Sequence, residues 1–335
     1  MKKEDIEIKW KELIDNKKNM FQRSFMSLWI DTKKLTRNRK FLKEMDNVTP
    51  YKSLEKILKE KYEKNNTRWR PQYELKLMLR IHILQNLYTL WDEAMEEAIY
   101  DRLSFQEYLR IDLLSNRIPD ATTIENFRHF LEENKFQERI FKEIVKILEE
   151  KWIILKKWTI VDATLIKASS STKNKKKKRD EEMSSTRKNN NYHFGWKIHI
   201  WTDMESWVVH SVELTKASIN DIEKREELLH WEERAIFWDK AYGDKKKKKE
   251  CREKWIYYWI SDKRSKYVEL SKNQKKKNKN KSRVRWKVEY IFWVIKCKFW
   301  FRKFSYKWIE KNRASVFMKI WLANLYICRK KLLMC

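Results

Sequence analysis

TIVDATLIKA, residues 159–168, sets an aspartate, Asp162, in the middle of an otherwise apolar and β-branched run. Such a run reads as a buried strand. A carboxylate within it is costly to desolvate unless something cationic meets it. Working outward, WKIHIWTD (196–203) and WVVHSVEL (207–214) read as two more strands, with a hairpin-like tip at Met204–Trp207 between them. Asp221–His230 then has helical spacing. AIFWDKAY (235–242) reads as a buried strand bearing Asp239, residues 244–254 as a helix, and IYYWISDK (256–263) as a strand. The pattern predicts an α/β domain with a mixed five-stranded sheet flanked by helices.

That order, a meander of three strands followed by α/β alternation, is the order of an RNase H-like domain. It would lay the Asp162 and Asp239 strands side by side, which suggests a shared metal site. A third carboxylate comes from the helical spacing of residues 284–299. There Arg285, Glu289 and Lys296 sit at i, i+4 and i+11, which predicts one helix face for all three. An ordinary salt-bridged surface would explain that helix taken alone; two strand-borne aspartates change the balance. Breaking a phosphodiester needs an activated water and charge neutralisation on the departing oxygen, which two ions about 3.5–4 Å apart supply together. Oxygen ligands suit Mg²⁺ or Mn²⁺. Arg285 and Lys296 would then contact phosphates, Arg285 bidentately.

The first 150 residues read differently. Helical spacing runs through Leu54, Ile57, Leu58 and Tyr62, through Leu75, Met78, Leu79, His82, Ile83 and Asn86, through Met95 and Ile99 after Asp92, and through Phe127, Phe130 and Leu131. Thr122-x-x-Glu125 reads as a capping box. The division expected is a basic arm (1–45), an all-helical DNA-binding domain (46–150), and the catalytic domain (151–335) with a Lys-rich loop at 271–283.

Seventy-eight Lys and Arg against 48 Asp and Glu give a net charge of +30. Charge on that scale speaks to partners, and nucleic acid is the commonest partner of a cationic protein. A lysine-biased genome would produce the same surface. The helices at Asp92 and Thr123 could form a helix-turn-helix-like pair with Asn126, Arg128 and His129 touching bases or phosphates; a bundle that only braces the catalytic domain is the alternative. Lys173, Lys175 and Lys176 belong to one of three Lys-dense stretches suited to sequence-independent phosphate contacts. No stretch is apolar enough to span a bilayer, and no apolar run follows the basic start. Cytoplasmic, nucleoid-associated work with no membrane partner is the expectation. The four cysteines lack metal spacing and read as buried or incidental thiols.

One anomaly cuts across these readings. The chain has 18 Trp and 2 Gly, where ordinary usage has Gly near 7%. Trp207 sits at a hairpin tip and Trp300 stands where a helix would be closed by glycine. The two counts together approach normal glycine usage. Most of these tryptophans are therefore expected to be glycines in the living protein, through a codon UGA that its source reads as glycine. The competing reading is a protein that is truly rich in tryptophan.

On these residues the chain resembles the DDE transposases of bacterial insertion sequences, the group called IS-five. The likeness runs from about residue 24 onward through SFMSLW (24–29), RWRPQYELKLMLRIHILQNLYTLWDEAMEEAIYD (68–101), RIPDATTIENFRHFLEE (117–133), TIVDATLIKASSSTKNK (159–175), YHFGWKIHIWTD (192–203), LLHWEE (228–233), WDKAYGD (238–244) and RWKVEYIFWVIKCKFWFRK (285–303). The resemblance puts the family's catalytic aspartates on Asp162 and Asp239, its glutamate on Glu289, and its Arg-x3-Glu-x6-Lys signature on Arg285, Glu289 and Lys296. It implies Mg²⁺-dependent cut-and-join chemistry on double-stranded DNA, at terminal inverted repeats and a target, by a homodimer in the synaptic complex. Tyr290 stands where the family often has His. Trp29, Trp69, Trp152, Trp158, Trp201, Trp207, Trp231 and Trp300 stand where it usually has Gly. Indoles at Trp238 and Trp293 would crowd the metal site. A non-catalytic transposon-derived DNA-binding protein and an RNase H-like nuclease without strand transfer are the rival functions.

Overall fold

The computed structural model describes residues 35–64, 72–113, 116–171, 179–188, 190–219, 234–238, 245–260 and 271–334; for Lys64, Lys188, Trp238, residues 245–248, Lys281, Ser282 and Arg285 it describes the backbone alone. Among the described residues seven helices come first: α1 (Arg37–Val48), α2 (Tyr51–Lys64), α3 (Leu75–Tyr88), α4 (Asp92–Asp101), α5 (Leu103–Leu109), α6 (Ala121–Glu133) and α7 (Phe136–Glu150). Strands β1 (Trp158–Lys167), β2 (Ser184–Lys188), β3 (Asn191–Asp203), β4 (Val209–Lys216) and β5 (Ala235–Trp238) follow. Then come α8 (Lys245–Glu253), β6 (Tyr257–Ile260), α9 (Lys272–Trp293), a π-helical turn (Val294–Lys298) and α10 (Ile309–Met334).

Helix α1 is a short helix at the end of the expected arm, but it crosses the boundary drawn at residue 45 and packs into the core. Residues 37–45 bury Leu42 and Met45 in the helical core, and Thr36 caps the helix by accepting from the Arg39 amide. The start of α6 also departs from expectation: Asp120, not Thr122, is the N-cap, and its carboxylate accepts from the Thr123 amide at 2.8 Å. Asp120 has the extended backbone that an N-cap needs, at φ −74° and ψ 165°.

The sheet has six strands rather than five, in the order β2-β3-β1-β5-β6, with β4 also paired to β3. The extra strand is β2, a polar SSTRK segment whose sequence carries no apolar alternation. It pairs with residues 191–195 of β3, and β4 pairs with residues 196–202. β1 runs antiparallel to β3 and parallel to β5, and β5 runs parallel to β6. The core of the sheet is thus the mixed order read from the sequence. Gly195 lies where β1, β2 and β3 meet, at φ +153°; a Cβ there would come within 2.2 Å of the Ile166 carbonyl oxygen, so no other residue fits.

Alternation along β1 divides its side chains between two cores. Ile160 and Ile166 join the large core, while Val161 faces Trp201, Ile236, Cys251 and Ile256 in a smaller cluster on the other side. The large core runs without interruption from the helices (Leu42, Leu84, Phe105, Leu131, Ile144) to the sheet. What joins them is α10. Residues 316–325 are buried all round, against α1, α3 and α7 on one side and β4 on the other. Asn324 of α10 bonds both the amide and the carbonyl of Val209, at 2.9 and 2.7 Å, beside the bulge at Trp201/Thr202.

Candidate active site and nucleic-acid interface

Asp162 lies at the middle of β1 on the face that carries Ile160 and Ile166, half-buried, and its Oδ1 accepts from the Ala163 amide at 2.9 Å. The parallel register pairs Ile160 with Phe237, so Asp162 stands two residues past that pair. The same count from Phe237 reaches Asp239, which lies outside the described residues. Helix α9 packs across both β1 and β5 by a buried stripe of Val288 and Ile291, leaving Glu289 on its exposed side. Among the described residues no three His, Cys, Asp or Glu side chains form a metal-holding group. The carboxylates of Asp162 and Glu289 are hard oxygen donors, the chemistry that Mg²⁺ or Mn²⁺ takes.

Lys296 is placed differently from the sequence expectation. It does not continue the Glu289 face of a single α-helix, because the helix changes to π-type i→i+5 bonding at Val294. The extra residue per turn swings Lys296 inward. Its ammonium donates to Thr164 Oγ1 at 2.5 Å and to the Leu165 carbonyl at 3.2 Å. Thr164 follows Asp162 by two and shares its face of the strand. Lys296 therefore ties the end of α9 to the Asp162 strand. Arg285 keeps its place on α9, with its side chain outside the described residues. Trp293, half exposed, stacks on Tyr290 at 5.9 Å, and Tyr290 in turn meets Trp207 of the β3–β4 connection edge-on.

Of the DNA contacts expected on α6, Arg128 is engaged within the protein. The Arg128 guanidinium is bonded to Asp92 at 2.8 Å, lies 3.4 Å from Glu132 and 3.5 Å from Glu125, and sits over the Tyr306 ring. Burial works against its charge, but the Asp92 hydrogen bond and the charges of Asp92 and Glu132 raise its pKa above the ordinary value, and the carboxylates occupy its donors, so it braces the fold. His129 is half-buried beside Glu125, and Asn126 is exposed. The helices at Asp92 and Thr123 pack together but are separated by α5, so they are not a consecutive helix-turn-helix. Lys173, Lys175 and Lys176 lie outside the described residues. The Lys-rich stretch 271–283 is not a loop. It is the first half of α9, capped by Ser271 and Gln274 in a reciprocal box and exposed nearly all round, with Lys272, Lys275, Lys276, Lys277, Lys279 and Arg283 in solvent.

Two protein-family models match the chain, one described as Transposase DDE domain over residues 155–325, the other as Transposase domain (DUF772) over residues 30–130. The first covers more than half of the chain. The chain belongs to the DDE transposases. It is accordingly an enzyme of DNA transposition and of mobile elements, built on an RNase H-like fold and acting on DNA, in a family that uses divalent metal. No solved structure matches it. No helix among the described residues is long and apolar enough to cross a membrane.

This transposase has a second polar cluster that the sequence reading missed. At the seam between α3, α6 and α10, a cleft is lined by His82, Gln85, Asp92, Arg128, Glu132 and Lys319, among others. Lys319 is buried with no carboxylate partner among the described residues, and burial pulls its pKa down to about 7. Burial first, and then the nearby Arg128, hold the His82 imidazole down at about 4. The signal was present: Lys319 interrupts the apolar run VFMKIWLANL (316–325), as Asp162 interrupts its own.

Proposed function

We propose that this transposase cuts DNA at the terminal inverted repeats of an insertion sequence of the IS-five group and joins the freed ends to a target, with Asp162, Asp239 and Glu289 holding two Mg²⁺ or Mn²⁺ ions. The supporting observation is the parallel register of β1 and β5 beneath α9: Asp162 lies two residues past the Ile160–Phe237 pair, and the helix that carries Glu289 packs over both strands. Two bound ions supply an activated water and neutralise the departing 3′ oxygen. The chain's own groups do the rest. Arg285 takes a scissile-strand phosphate, Lys296 holds the Asp162 strand to the end of α9, and the lysines of the first half of α9 grip the flanking duplex without reading its sequence. A homodimer would pair the two ends in the synaptic complex, on the nucleoid. Strand transfer with the element's own ends in Mg²⁺ tests the reading. Joined products, lost in Asp162→Asn and Glu289→Gln while DNA binding persists, are expected. Cleavage that never leads to joining would favour the nuclease, and activity untouched by either substitution would sink the assigned site.

We also infer that most of the tryptophans are glycines in the living protein. Nine described non-glycine residues have positive φ, and four of them are Trp152, Trp207, Trp255 and Trp300. An indole-bearing residue is the wrong choice for this region, and glycine is the usual one. Two of the four close helices in the manner that glycine dominates. After α7 the Ile153 amide bonds the Leu148 carbonyl and the Trp152 amide the Glu149 carbonyl; after α8 the Ile256 amide bonds Cys251 and the Trp255 amide Arg252. These are Schellman pairs with tryptophan at the left-handed position. Trp152 and Trp255 are 82% and 94% exposed, so their rings find no packing in return. The buried indoles Trp196, Trp201 and Trp321 have N–H groups without an acceptor among the described residues. UGG codons at positions 152, 207, 255 and 300 would sink the inference.

A further inference from the structure

Thr89 closes α3 in the left-handed conformation, at φ 52° and ψ 51°. It is the only β-branched residue with positive φ among those described. Branching at Cβ makes that conformation unfavourable, and glycine or asparagine would close the helix without strain. Backbone strain that persists against an easier residue points to a side chain that is needed. The hydroxyl of Thr89 is fully used. It donates to the Phe299 carbonyl oxygen at 2.6 Å and accepts from the buried ammonium of Lys319 at 3.1 Å. Lys319 also donates to the Asn86 carbonyl in the last turn of α3.

Phe299 is the residue on which the π-turn ends, its amide bonded to Val294 at 2.9 Å. Three residues before it, Lys296 bonds Thr164 and Leu165 on β1. A continuous path of hydrogen bonds and short chain therefore leads from α3, through Thr89 and the π-turn, to the strand of Asp162. What the path fixes is the rotation of the π-turn, and with it the reach of Lys296.

We propose that Thr89 and Lys319 are positioning residues, a clasp through which the helical region sets the π-turn and so fixes Lys296 and the Asp162 strand for the reaction. The proposal rests on the cut-and-join reading of the site for its catalytic consequence, but the clasp itself has a test that needs no activity. Hydrogen exchange on the full chain, without DNA, would be followed in peptides covering residues 294–304 and 159–167. Thr89→Val keeps the shape and removes the hydroxyl; Thr89→Ser restores it. The expected result is at least a tenfold faster exchange in both peptides for Thr89→Val, recovery in Thr89→Ser, and little change in α2, α7 or β4. Metal-dependent nicking of a plasmid carrying the element's ends is measured beside it, and Thr89→Val is expected to slow the step roughly fivefold or more at saturating DNA, with the Kd for DNA within twofold. Unchanged exchange in the two peptides overturns the clasp. Faster exchange with an undiminished nicking rate overturns its role in positioning. If the wild-type chain never nicks DNA while Thr89→Val still loosens both peptides and Thr89→Ser recovers them, the clasp stands and the cut-and-join reading falls. Lys319→Met, which keeps an apolar stem in the buried site, is expected to reproduce the Thr89→Val pattern.

Discussion

Asp162 announces itself because a carboxylate in an apolar strand has no cheap structural explanation, and the same logic applies to Lys319 in the middle of α10. Both are ionisable groups whose burial is visible in one dimension. Lys296 is a different case, since its partner Thr164 is remote in sequence and only the π-turn brings the two together. A chemical consequence follows for Lys319. Burial holds its folded pKa near 7, below the ordinary 10.5. Between those values the unfolded chain carries one proton more than the folded one, so stability rises with pH, by up to about 1.4 kcal/mol per pH unit. Below pH 7 the group is charged in both states and the desolvation cost is present in full. The titratable neighbours across the cleft are His82 of α3, which is neutral in this range, Asp92 of α4, and Arg128 and Glu132 of α6. Urea unfolding of wild type and Lys319→Met between pH 7 and 9 should give curves that diverge with this sign. Parallel curves would mean that the ammonium is solvated. Trp255 allows a second test at this scale. Its ring is exposed and its φ is +58°, so Trp255→Gly removes a conformational cost of about 1 kcal/mol and loses almost no packing. The chain bearing that glycine should be the more stable one by about that amount. A loss of stability would show that the indole has a role at that position.

Among the elements, those with apolar periodicity were legible and those without it were not. Helices α2, α3, α4 and α6, and strands β1, β3 and β4, follow their patterns closely, whereas the short helix α5 was not read. β2 escaped because SSTRK has no alternation, and the first half of α9 escaped because a helix polar on every side carries no stripe. That half-helix is stabilised by its capping box and by continuity with the buried second half, where Val288 and Ile291 anchor it. Its lysines are consequently held on a rigid rod rather than on a mobile loop, in fixed relation to Glu289. Replacing Lys275, Lys276 and Lys279 by Gln should leave the melting temperature within a few degrees. The dependence of log K on log[salt] should become shallower by about 2 to 3 if each touches a phosphate. An unchanged slope, measured by fluorescence anisotropy on a duplex of the element's end, would place DNA elsewhere.

At the scale of the molecule, the sequence suggests two regions and the structure gives them one core. Nothing in the local pattern of α10 reveals this, since a helix buried on all sides looks the same whichever neighbours bury it. Because α10 fills the space between α1, α3 and α7 and also lies on β4, the two regions should unfold together. A single calorimetric transition is the expected outcome for the full chain, and residues 35–150 expressed alone should lack a cooperative transition. Two separate transitions would show that the shared core contributes little. The order of synthesis gives this arrangement a further meaning. The seven helices α1 to α7 leave the ribosome before the helix that fills their centre exists, and strands β1 to β6 are made in between. Until α10 emerges, the helical region has an open apolar trough rather than a core, and the Thr89 clasp has no Lys319 to close on. A nascent transposase would thus hold its π-turn unset until α10 has been translated.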